Sequence, residues 1–418
     1  MKYLLLFLSF YTNQLHAQVD TSQHIIEGRI NSASQQEKPY VILISADGFR
    51  YDYAKKYKAQ NILALSKKAV RAKSMLPVFP SLTFPNHYSI VTGMYPAHHG
   101  IVNNSFYDAA KNNSYSMSKK KVVEDGTWYG GVPLWVLAEQ QQMLTASFYW
   151  VGSEAPIQGV LPTYYYTYNE KISIDKRISV VVDWLNLPAE KRPHLITFYF
   201  PEVDHDGHVY GPESPEVAKA VKTLDSSIHQ LTLAVKKTGL PVNFIFVSDH
   251  GMTTVDTKNS LSLPATIDTS KFRIASEGIL VSMHAKNKDD ILPAYNALKA
   301  SEKDYTVYLK KEMAALHFSE EDDIFNRIGD IIVISTWPKV FNLYKRKINI
   351  GWHGYDPALV KDMHAIFYGW GPMLKRKRIA SFENVHVYPL VAEMLQLPYT
   401  HKIDGKLEVL KPILRKSR

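Results

Sequence analysis

The chain has 418 residues and a net charge of +9 at neutral pH, and this length suits one large α/β domain or two average ones. It contains no cysteine, which excludes disulfides, thiolate metal ligands, a lipid-anchored cysteine and a cysteine nucleophile. The basic runs at 119–121 and 375–378 are short and lie in no nucleic-acid-binding motif. We interpret them as solvated surface and expect no stable nucleic-acid complex.

Residues 1–17 have the pattern of a signal peptide. Lys2 is the charged start, Tyr3 to Tyr11 form the apolar run, and Ala17 marks the expected cleavage position. The run is too short to span a bilayer, and no later stretch is long and apolar enough to form a membrane helix. We therefore expect an exported protein, periplasmic or secreted, whose mature chain has no transmembrane segment.

The first predicted core strand covers 40–46 and follows a polar leader over 18–39. This stretch is apolar throughout and ends at Asp47 and Gly48. Such a run is typical of a strand that is buried on both faces of a parallel sheet. A helix is predicted next, at about 61–70.

The stretch around Thr83 combines a hydroxyl group with a predicted helix start. Pro85 falls where a proline at the first helical position would, and apolar residues follow at helical spacing. A hydroxyl at a helix N-terminus faces unpaired N–H groups and the positive end of the helix dipole, which favours a bound phosphate and an alkoxide. Because serine and threonine also cap helices everywhere, Thr83 gains significance only if metal ligands lie beside it.

Two further apolar runs, at 195–200 and 242–248, repeat the pattern of the first. Acidic and imidazole side chains follow both runs: Asp204 and His208 after the first, Asp249 and His250 after the second. Between them, the apolar positions of 215–237 recur at helical spacing and predict a long helix. Strands that alternate with helices predict an α/β fold with a doubly wound sheet, in which the functional site lies outside the carboxyl ends of the strands.

Residues from about 271 to 343 interrupt this alternation. A small α+β insertion is predicted there, with strands at 278–283, 305–309 and 330–335 and a helix at 289–300. The chain then returns through 351–356, which contains His353, and 365–368 has the apolar character of another core strand.

The acidic and imidazole residues at the strand ends indicate a metal site. Asp204 and His208 are four residues apart, a spacing that places both side chains on one face of a helical turn. Oxygen and imidazole ligands without thiolate suit zinc, and also manganese or iron. Each residue alone is explained most simply as a helix cap or a hydrogen-bonded histidine, so the indication rests on their shared position at strand ends.

The motifs around these residues resemble those of the nucleotide pyrophosphatase/phosphodiesterase family, within the alkaline phosphatase superfamily. The matching stretches are 45–50, 79–88, 99–104, 204–212, 248–252 and 351–356. The resemblance implies an alkaline-phosphatase-like sandwich, with a mostly parallel central sheet flanked by helices. It also implies one catalytic domain over 40–410, with the small α+β insertion at about 271–343. Within that family the chain resembles a bacterial ectonucleotide pyrophosphatase/phosphodiesterase, and it lacks the cysteine-rich modules of animal members.

The resemblance implies a hydrolase with two zinc ions per chain. The ligands carried over to this sequence are Asp47, Thr83, Asp249 and His250 for one zinc, and Asp204, His208 and His353 for the other. Thr83 would be the nucleophile and would become a phosphothreonine, while Asn104 would contact a phosphate oxygen. The expected partner is a small nucleotide, cleaved at a phosphodiester or pyrophosphate bond to release a nucleoside 5′-monophosphate.

Aromatic residues are the candidates for holding the nucleobase. Phe84 and Tyr168 match positions that sandwich the base in the family, and Trp150 is expected to line the same cavity. Phe84 is equally consistent with a core position, and Tyr168 with an amphipathic strand that includes Tyr165 and Tyr166. Lysines 119–121 are consistent with contact to a leaving phosphate or with plain solvation.

Besides this function, the sequence bears on four alternatives. A phosphomonoesterase on the same scaffold would need extra positive charge, and no arginine accompanies Asn104 in the matching stretch. A lipid-headgroup phosphodiesterase is disfavoured only moderately, by Phe84. A non-catalytic zinc-binding periplasmic protein is disfavoured by the intact Thr83, and a sulfatase by the presence of threonine where that chemistry modifies cysteine or serine.

Overall fold

The computed structural model of the chain describes residues 20–415, and the predicted signal peptide at 1–17 lies outside them. The strands are β1 (His24–Ile25), β2 (Tyr40–Ala46), β3 (Val70–Ala72), β4 (Met75–Leu76), β5 (Ser105–Asp108), β6 (Asn113–Ser116), β7 (Thr145–Phe148), β8 (Tyr164–Tyr166), β9 (Leu195–Phe200), β10 (Val242–Val247), β11 (Thr253–Thr254), β12 (Phe272–Ser276), β13 (Leu280–Ala285), β14 (Tyr305–Leu309), β15 (Ile331–Ser335), β16 (Gly351–Trp352), β17 (Phe367–Trp370), β18 (Lys377–Ile379) and β19 (Phe382–Glu383). The α-helices are α1 (Ala33–Gln36), α2 (Tyr53–Lys56), α3 (Gln60–Ser66), α4 (Thr83–Thr92), α5 (Pro96–His99), α6 (Lys120–Val123), α7 (Leu134–Gln140), α8 (Ile174–Leu185), α9 (Glu202–Tyr210), α10 (Pro215–Lys237), α11 (Ile291–Ala300), α12 (Val387–Leu395) and α13 (Leu407–Leu410).

The main sheet has nine strands in the order β1-β8-β7-β9-β2-β10-β17-β3-β18. The five strands from β8 to β10 are parallel to one another, and β18 is parallel to β3. The strands β1 and β17 are antiparallel to their neighbours. The mostly parallel sheet that the sequence predicts is therefore present, and its parallel core contains the three apolar runs.

Both faces of the central strands are buried under helices. Val41 and Leu43 of β2 belong to a core shared with α4, α7 and α12. The alternate residues, Ile42 and Ile44, belong to a second core shared with α3, α8 and α10. Because successive side chains of a strand point to opposite faces, a strand covered on both sides must be apolar at every position. This requirement explains the unbroken apolar runs of β2, β9 and β10.

A second sheet of four antiparallel strands, in the order β12-β13-β15-β14, lies in the region where the alternation of strands and helices breaks. It has a small core of its own, to which α11 contributes Leu298. The buried Arg327 joins this region to the rest of the chain. Its guanidinium lies 2.8 Å from a carboxylate oxygen of Asp108 and donates to the backbone carbonyls of Gly100 and Trp128.

Several predictions differ from the structure. The strands predicted at 278–283 and 365–368 each begin two residues later, as β13 and β17. The leader at 18–39 contributes β1, which pairs with β8 and extends the main sheet. The helix predicted at 61–70 ends at Ser66, because Val70 already pairs with β17 and β18 as part of β3. Pro85 is the third residue of α4 and not the first. Proline is still tolerated there, because the first four backbone N–H groups of a helix have no carbonyl partner within the helix.

Among residues 20–415, no helix combines the length and the apolarity that crossing a membrane requires.

Candidate active site

The candidate metal ligands collect at the carboxyl end of the central sheet. Because β2, β9 and β10 are adjacent and parallel, the residues that follow them emerge at one edge. Asp47 follows β2 directly, and Asp249 and His250 follow β10. Asp204 and His208 lie one turn apart in α9, which begins just after β9. The sequence-predicted position of the site at the strand ends therefore matches the fold.

His353 reaches the same edge by a different route. It follows β16, which pairs with β11, and β11 begins three residues after His250. Nε2 of His353 lies 3.1 Å from Nε2 of His208 and 3.7 Å from Oδ1 of Asp204. The rings of His250 and His353 stack with their centroids 3.6 Å apart.

Two overlapping groups of side chains are close enough to hold metal ions. Asp47, Asp249 and His250 each offer one ligand atom within 4.8 Å of the other two. Asp204 and His353 form a second such group, which also includes His250. Nε2 of His208 lies 3.5 Å from Oδ2 of Asp204 and so borders the second group.

The three histidines share one orientation. Their Nδ1 atoms face backbone carbonyl oxygens, at 2.9 Å for His208 and Gly351, 2.9 Å for His250 and Gly251, and 3.0 Å for His353 and Ser81. Since a carbonyl oxygen only accepts a hydrogen bond, this contact places the ring proton on Nδ1 and leaves a lone pair on Nε2. Backbone contacts of this kind orient histidines that bind metal ions.

The carboxylates of the two groups have oxygens to which a cation could bind. Oδ1 of Asp47, Oδ1 of Asp204 and Oδ2 of Asp249 are buried and accept no hydrogen bond within the described part of the chain. Burial, together with the nearby Asp249 and Asp204, raises the pKa of Asp47 well above its usual range. Buried carboxylate oxygens that accept no hydrogen bond are costly, and divalent cations relieve that cost. Oxygen and imidazole donors without thiolate are a ligand set that suits zinc.

Thr83 is the first residue of α4 and lies beside both groups. Its Oγ1 is 3.2 Å from Nε2 of His250. The next backbone N–H in the helix, that of Phe84, donates to Oδ1 of Asn104 at 3.0 Å. This bond occupies the amide oxygen of Asn104, so the amide NH₂ group is the donor that the side chain offers to the cavity.

Two residues behind the candidate ligands were missed by the sequence analysis. His87 is buried, with Nδ1 3.2 Å from Oδ2 of Asp249 and Nε2 2.8 Å from the hydroxyl of Ser45. The hydroxyl of Tyr199 donates to Oδ2 of Asp47 at 2.6 Å. His87 lies four residues after Thr83, so its position on the same face of the predicted helix was a usable signal.

A cavity of about 660 Å³ opens in front of Thr83, and the four substrate-binding candidates Phe84, Asn104, Trp150 and Tyr168 all line it. Tyr168 lies outside β8 and is 46% exposed, so it has the free surface that a stacking residue needs. Trp150 is 1% exposed, and its indole N–H donates to the backbone carbonyl of His87. Trp150 therefore supports α4 in addition to lining the cavity.

The charged residues on the cavity wall, apart from the candidate ligands, are mostly acidic. Glu154, Glu170 and Glu277 line the cavity, and burial raises the pKa of both Glu154 and Glu277. Among the described residues that line the cavity, Lys120 is the only lysine or arginine. Its Nζ lies 3.6 Å from a carboxylate oxygen of Glu124.

Comparison with known proteins identifies relatives along most of the chain. The family described as type I phosphodiesterase / nucleotide pyrophosphatase matches residues 41–356. Human ectonucleotide pyrophosphatase/phosphodiesterase family member 1 is 35% identical over 376 residues, which cover 86% of this chain and 40% of that protein. An uncharacterized pyrophosphatase/phosphodiesterase of Schizosaccharomyces pombe is 33% identical over 411 residues, 94% of this chain and 84% of that protein. The chain thus spans about two fifths of the length of the mammalian relatives.

Solved structures show the same architecture. Murine ectonucleotide pyrophosphatase/phosphodiesterase 5 superimposes with a TM-score of 0.83 at 28% identity, covering 90% of this chain and 100% of the murine chain. A second murine structure is an inactive threonine-to-alanine variant in complex with AMP, with the same TM-score at 27% identity. The fold is therefore alkaline-phosphatase-like, as the sequence resemblance implied. Together with the match over 41–356, this shows that the chain belongs to the type I phosphodiesterase / nucleotide pyrophosphatase family.

Proposed function

We propose that this chain is a hydrolase that cleaves phosphodiester and pyrophosphate bonds of nucleotides with two bound zinc ions, through a phosphorylated Thr83. One observation carries the proposal: the hydroxyl of Thr83 lies at the start of α4, beside both groups of candidate metal ligands. The names of the relatives support the reaction class, and the AMP complex of the murine relative supports a nucleotide substrate. That the murine variant is an inactive threonine-to-alanine protein supports a threonine nucleophile.

The metal ions would be held by side chains already in place. Asp47, Asp249 and His250 would hold one ion together with Thr83. The other ion would be held by Asp204, His208 and His353. When bound, two zinc ions supply positive charge on both sides of the phosphoryl group and lower the pKa of a hydroxyl or water beside them.

The reaction proceeds in two displacements at phosphorus. Thr83 loses its proton, its oxygen forms a bond to phosphorus, and the leaving oxygen departs with the bond electrons and takes up a proton. Water then attacks the phosphothreonine, which restores the hydroxyl of Thr83 and releases the nucleoside 5′-monophosphate. The amide NH₂ of Asn104 and the N-terminus of α4 would stabilise the phosphoryl oxygens as charge develops on them.

The charge of the cavity favours diesters over monoesters. A monoester carries close to two negative charges near neutral pH, whereas a diester carries one. Beyond the metal ligands, the cavity offers Asn104 and Lys120 against three glutamates. We therefore propose that kcat/KM for a nucleotide 5′-diester exceeds that for the matching monoester by orders of magnitude, each tenfold corresponding to about 1.4 kcal/mol.

A substrate panel at equal concentrations tests this function. It compares a nucleotide 5′-diester, a dinucleoside or nucleoside pyrophosphate, AMP, and a phosphocholine ester. We expect hydrolysis of the first two and little of the others. Release of phosphate from AMP at the rate of AMP release from ATP would identify a phosphomonoesterase. Preferential cleavage of the phosphocholine ester would identify a lipid-headgroup phosphodiesterase, and no hydrolysis of any substrate by zinc-loaded protein would leave the non-catalytic alternative.

We also propose that the protein is exported, to the periplasm or the medium. The pattern of residues 1–17 carries this proposal, and the names of the venom and ectonucleotide relatives are in keeping with it. N-terminal sequencing of the protein recovered outside the cytoplasm tests it, since cleavage near Ala17 is expected.

A further inference from the structure

The basic residues that the function does not use collect at one edge of the main sheet. The strand β18 is the last strand on the side opposite β1, and within residues 20–415 no other strand pairs with its outer edge. Four consecutive basic side chains lie in this strand or just before it, and all four are exposed: Lys375, Arg376, Lys377 and Arg378. The longer basic run noted in the sequence is thus presented on a free sheet edge.

Distant parts of the chain add positive charge to the same edge. The neighbouring strand β3 carries Arg71 opposite Arg378, and Lys73 follows it. The segment at 411–415 packs alongside, because Leu414 pairs with Leu374. We define the basic edge as Lys67, Lys68, Arg71, Lys73, Lys375, Arg376, Lys377, Arg378, Lys411 and Arg415.

The basic edge is built from stretches of the chain that contain no acidic residue. The stretches 53–78, 363–382 and 409–415 contain neither aspartate nor glutamate. Within the part of the chain that the structure describes, no residue of the basic edge forms an ion pair with a carboxylate. The net charge of the whole chain is +9, so ten uncompensated basic residues at this edge account for it, and the rest of the chain is close to neutral.

We propose that the basic edge binds the surface of an anionic membrane. Clusters of lysine and arginine bind anionic lipid headgroups without any groove or specific pocket, each residue contributing additively. A single-stranded nucleic acid would instead need aromatic side chains on which bases stack. In the three acid-free stretches no aromatic side chain is among the exposed large hydrophobic residues, and the one such residue is Val409, two positions before Lys411.

Protection of the sheet edge alone does not explain the cluster. Charged side chains on an edge strand prevent sheets from pairing edge to edge, and this accounts for the basic residues of β18. It does not account for Lys67 and Lys68 after α3, or for Lys411 and Arg415 near the C-terminus. The strand β18 lies three places from β10 in the sheet, and no residue of the basic edge lines the cavity in front of Thr83.

Vesicle sedimentation with the mature full-length chain tests the proposal. The wild type is compared on vesicles of phosphatidylcholine alone and of phosphatidylcholine mixed with phosphatidylglycerol, at low and at physiological salt. The test variant combines Lys375→Gln, Arg376→Gln, Lys377→Gln and Arg378→Gln. A control variant makes the same change of charge on the exposed face of α10, with Lys219→Gln, Lys222→Gln, Lys236→Gln and Lys237→Gln.

We expect the wild type to bind the anionic vesicles, less tightly at higher salt, and the test variant to lose at least about tenfold in partition coefficient. The control variant should bind like the wild type, and hydrolysis of a soluble nucleotide should be equal in all three proteins, which shows that they are folded. Equal binding to both vesicle types by the wild type, or an equal loss in the control variant, would overturn the proposal. The proposal would also be overturned if an oligonucleotide bound the wild type but not the test variant, and anionic vesicles did not bind at all.

Discussion

Removing the hydroxyl of Thr83 tests the proposed nucleophile at the scale of one residue. Thr83→Ala should lower kcat by at least about a thousandfold, because no other group forms the bond to phosphorus. Thr83→Ser keeps a hydroxyl and should retain a good part of the activity. Steady-state kinetics on a nucleotide diester measure both effects. Metal content should stay at two ions per chain in both variants. If the alanine variant were as active as the parent, Thr83 would not be the nucleophile and would serve only as the first residue of α4.

Stacking of the base is a second property of single side chains. Phe84→Ala or Tyr168→Ala should raise KM for nucleotides by the equivalent of about 1–3 kcal/mol for each lost stack. Hydrolysis of bis(4-nitrophenyl) phosphate, which has no base, should change much less. Trp150→Phe is the matched control: because Trp150 is buried, we expect a lower melting temperature and an equal effect on both substrates. A loss at Tyr168 that is equal on both substrates would exclude stacking there.

At the scale of secondary-structure elements, one buried arginine connects the loops that carry the candidate ligands. Arg50, three residues after Asp47, has a side chain that is 5% exposed. Its guanidinium donates to Asp52, to the backbone carbonyl of Met252 and to Glu213. These partners follow β2, β10 and α9, so Arg50 holds together three segments that contribute metal ligands.

Arg50 is therefore expected to position the ligands without touching substrate. Arg50→Met should weaken zinc binding by about 10–100-fold, the range seen when groups that orient metal ligands are removed. Competition with a chelator measures the dissociation constant directly, independently of activity. Arg50→Lys keeps the charge but not the forked geometry of the guanidinium, so its zinc affinity should lie between those of the wild type and of Arg50→Met. A methionine variant with unchanged zinc affinity and only a lower melting temperature would make Arg50 purely structural.

At the scale of the whole molecule, activity should depend on metal ions bound between distant segments. Chelation should abolish turnover and added zinc should restore it, with two ions per chain by elemental analysis. Because the ions bind the folded chain and not the unfolded one, zinc should also raise the melting temperature. Full activity of metal-free protein would eliminate the proposed mechanism.

The central fold and most of the candidate site could be predicted from the chain alone. A strand covered on both faces must be apolar at every position, so the bounds of β2 and β9 could be predicted from their apolar runs. The spacing of apolar residues likewise predicted the observed bounds of α10. Parallel strands share one carboxyl edge, which is why Asp47, Asp249 and His250 could be placed together. These features can be predicted from local sequence because a buried face of a strand or helix requires apolar residues at a regular spacing along the chain.

Only the tertiary structure decided which distant segments meet. The family resemblance implied that His353 joins the site, but it is the pairing of β16 with β11 that brings this residue back to the strand ends, and no local pattern encodes such a two-residue pairing. Trp150 is buried against α4, whereas Tyr168 is exposed. The sequence could not distinguish the two, because the burial of an aromatic side chain depends on its neighbours in the fold and not on its residue type. The basic edge arose in the same way: three basic stretches, each short along the chain, become one surface because strand pairing and C-terminal packing bring them together.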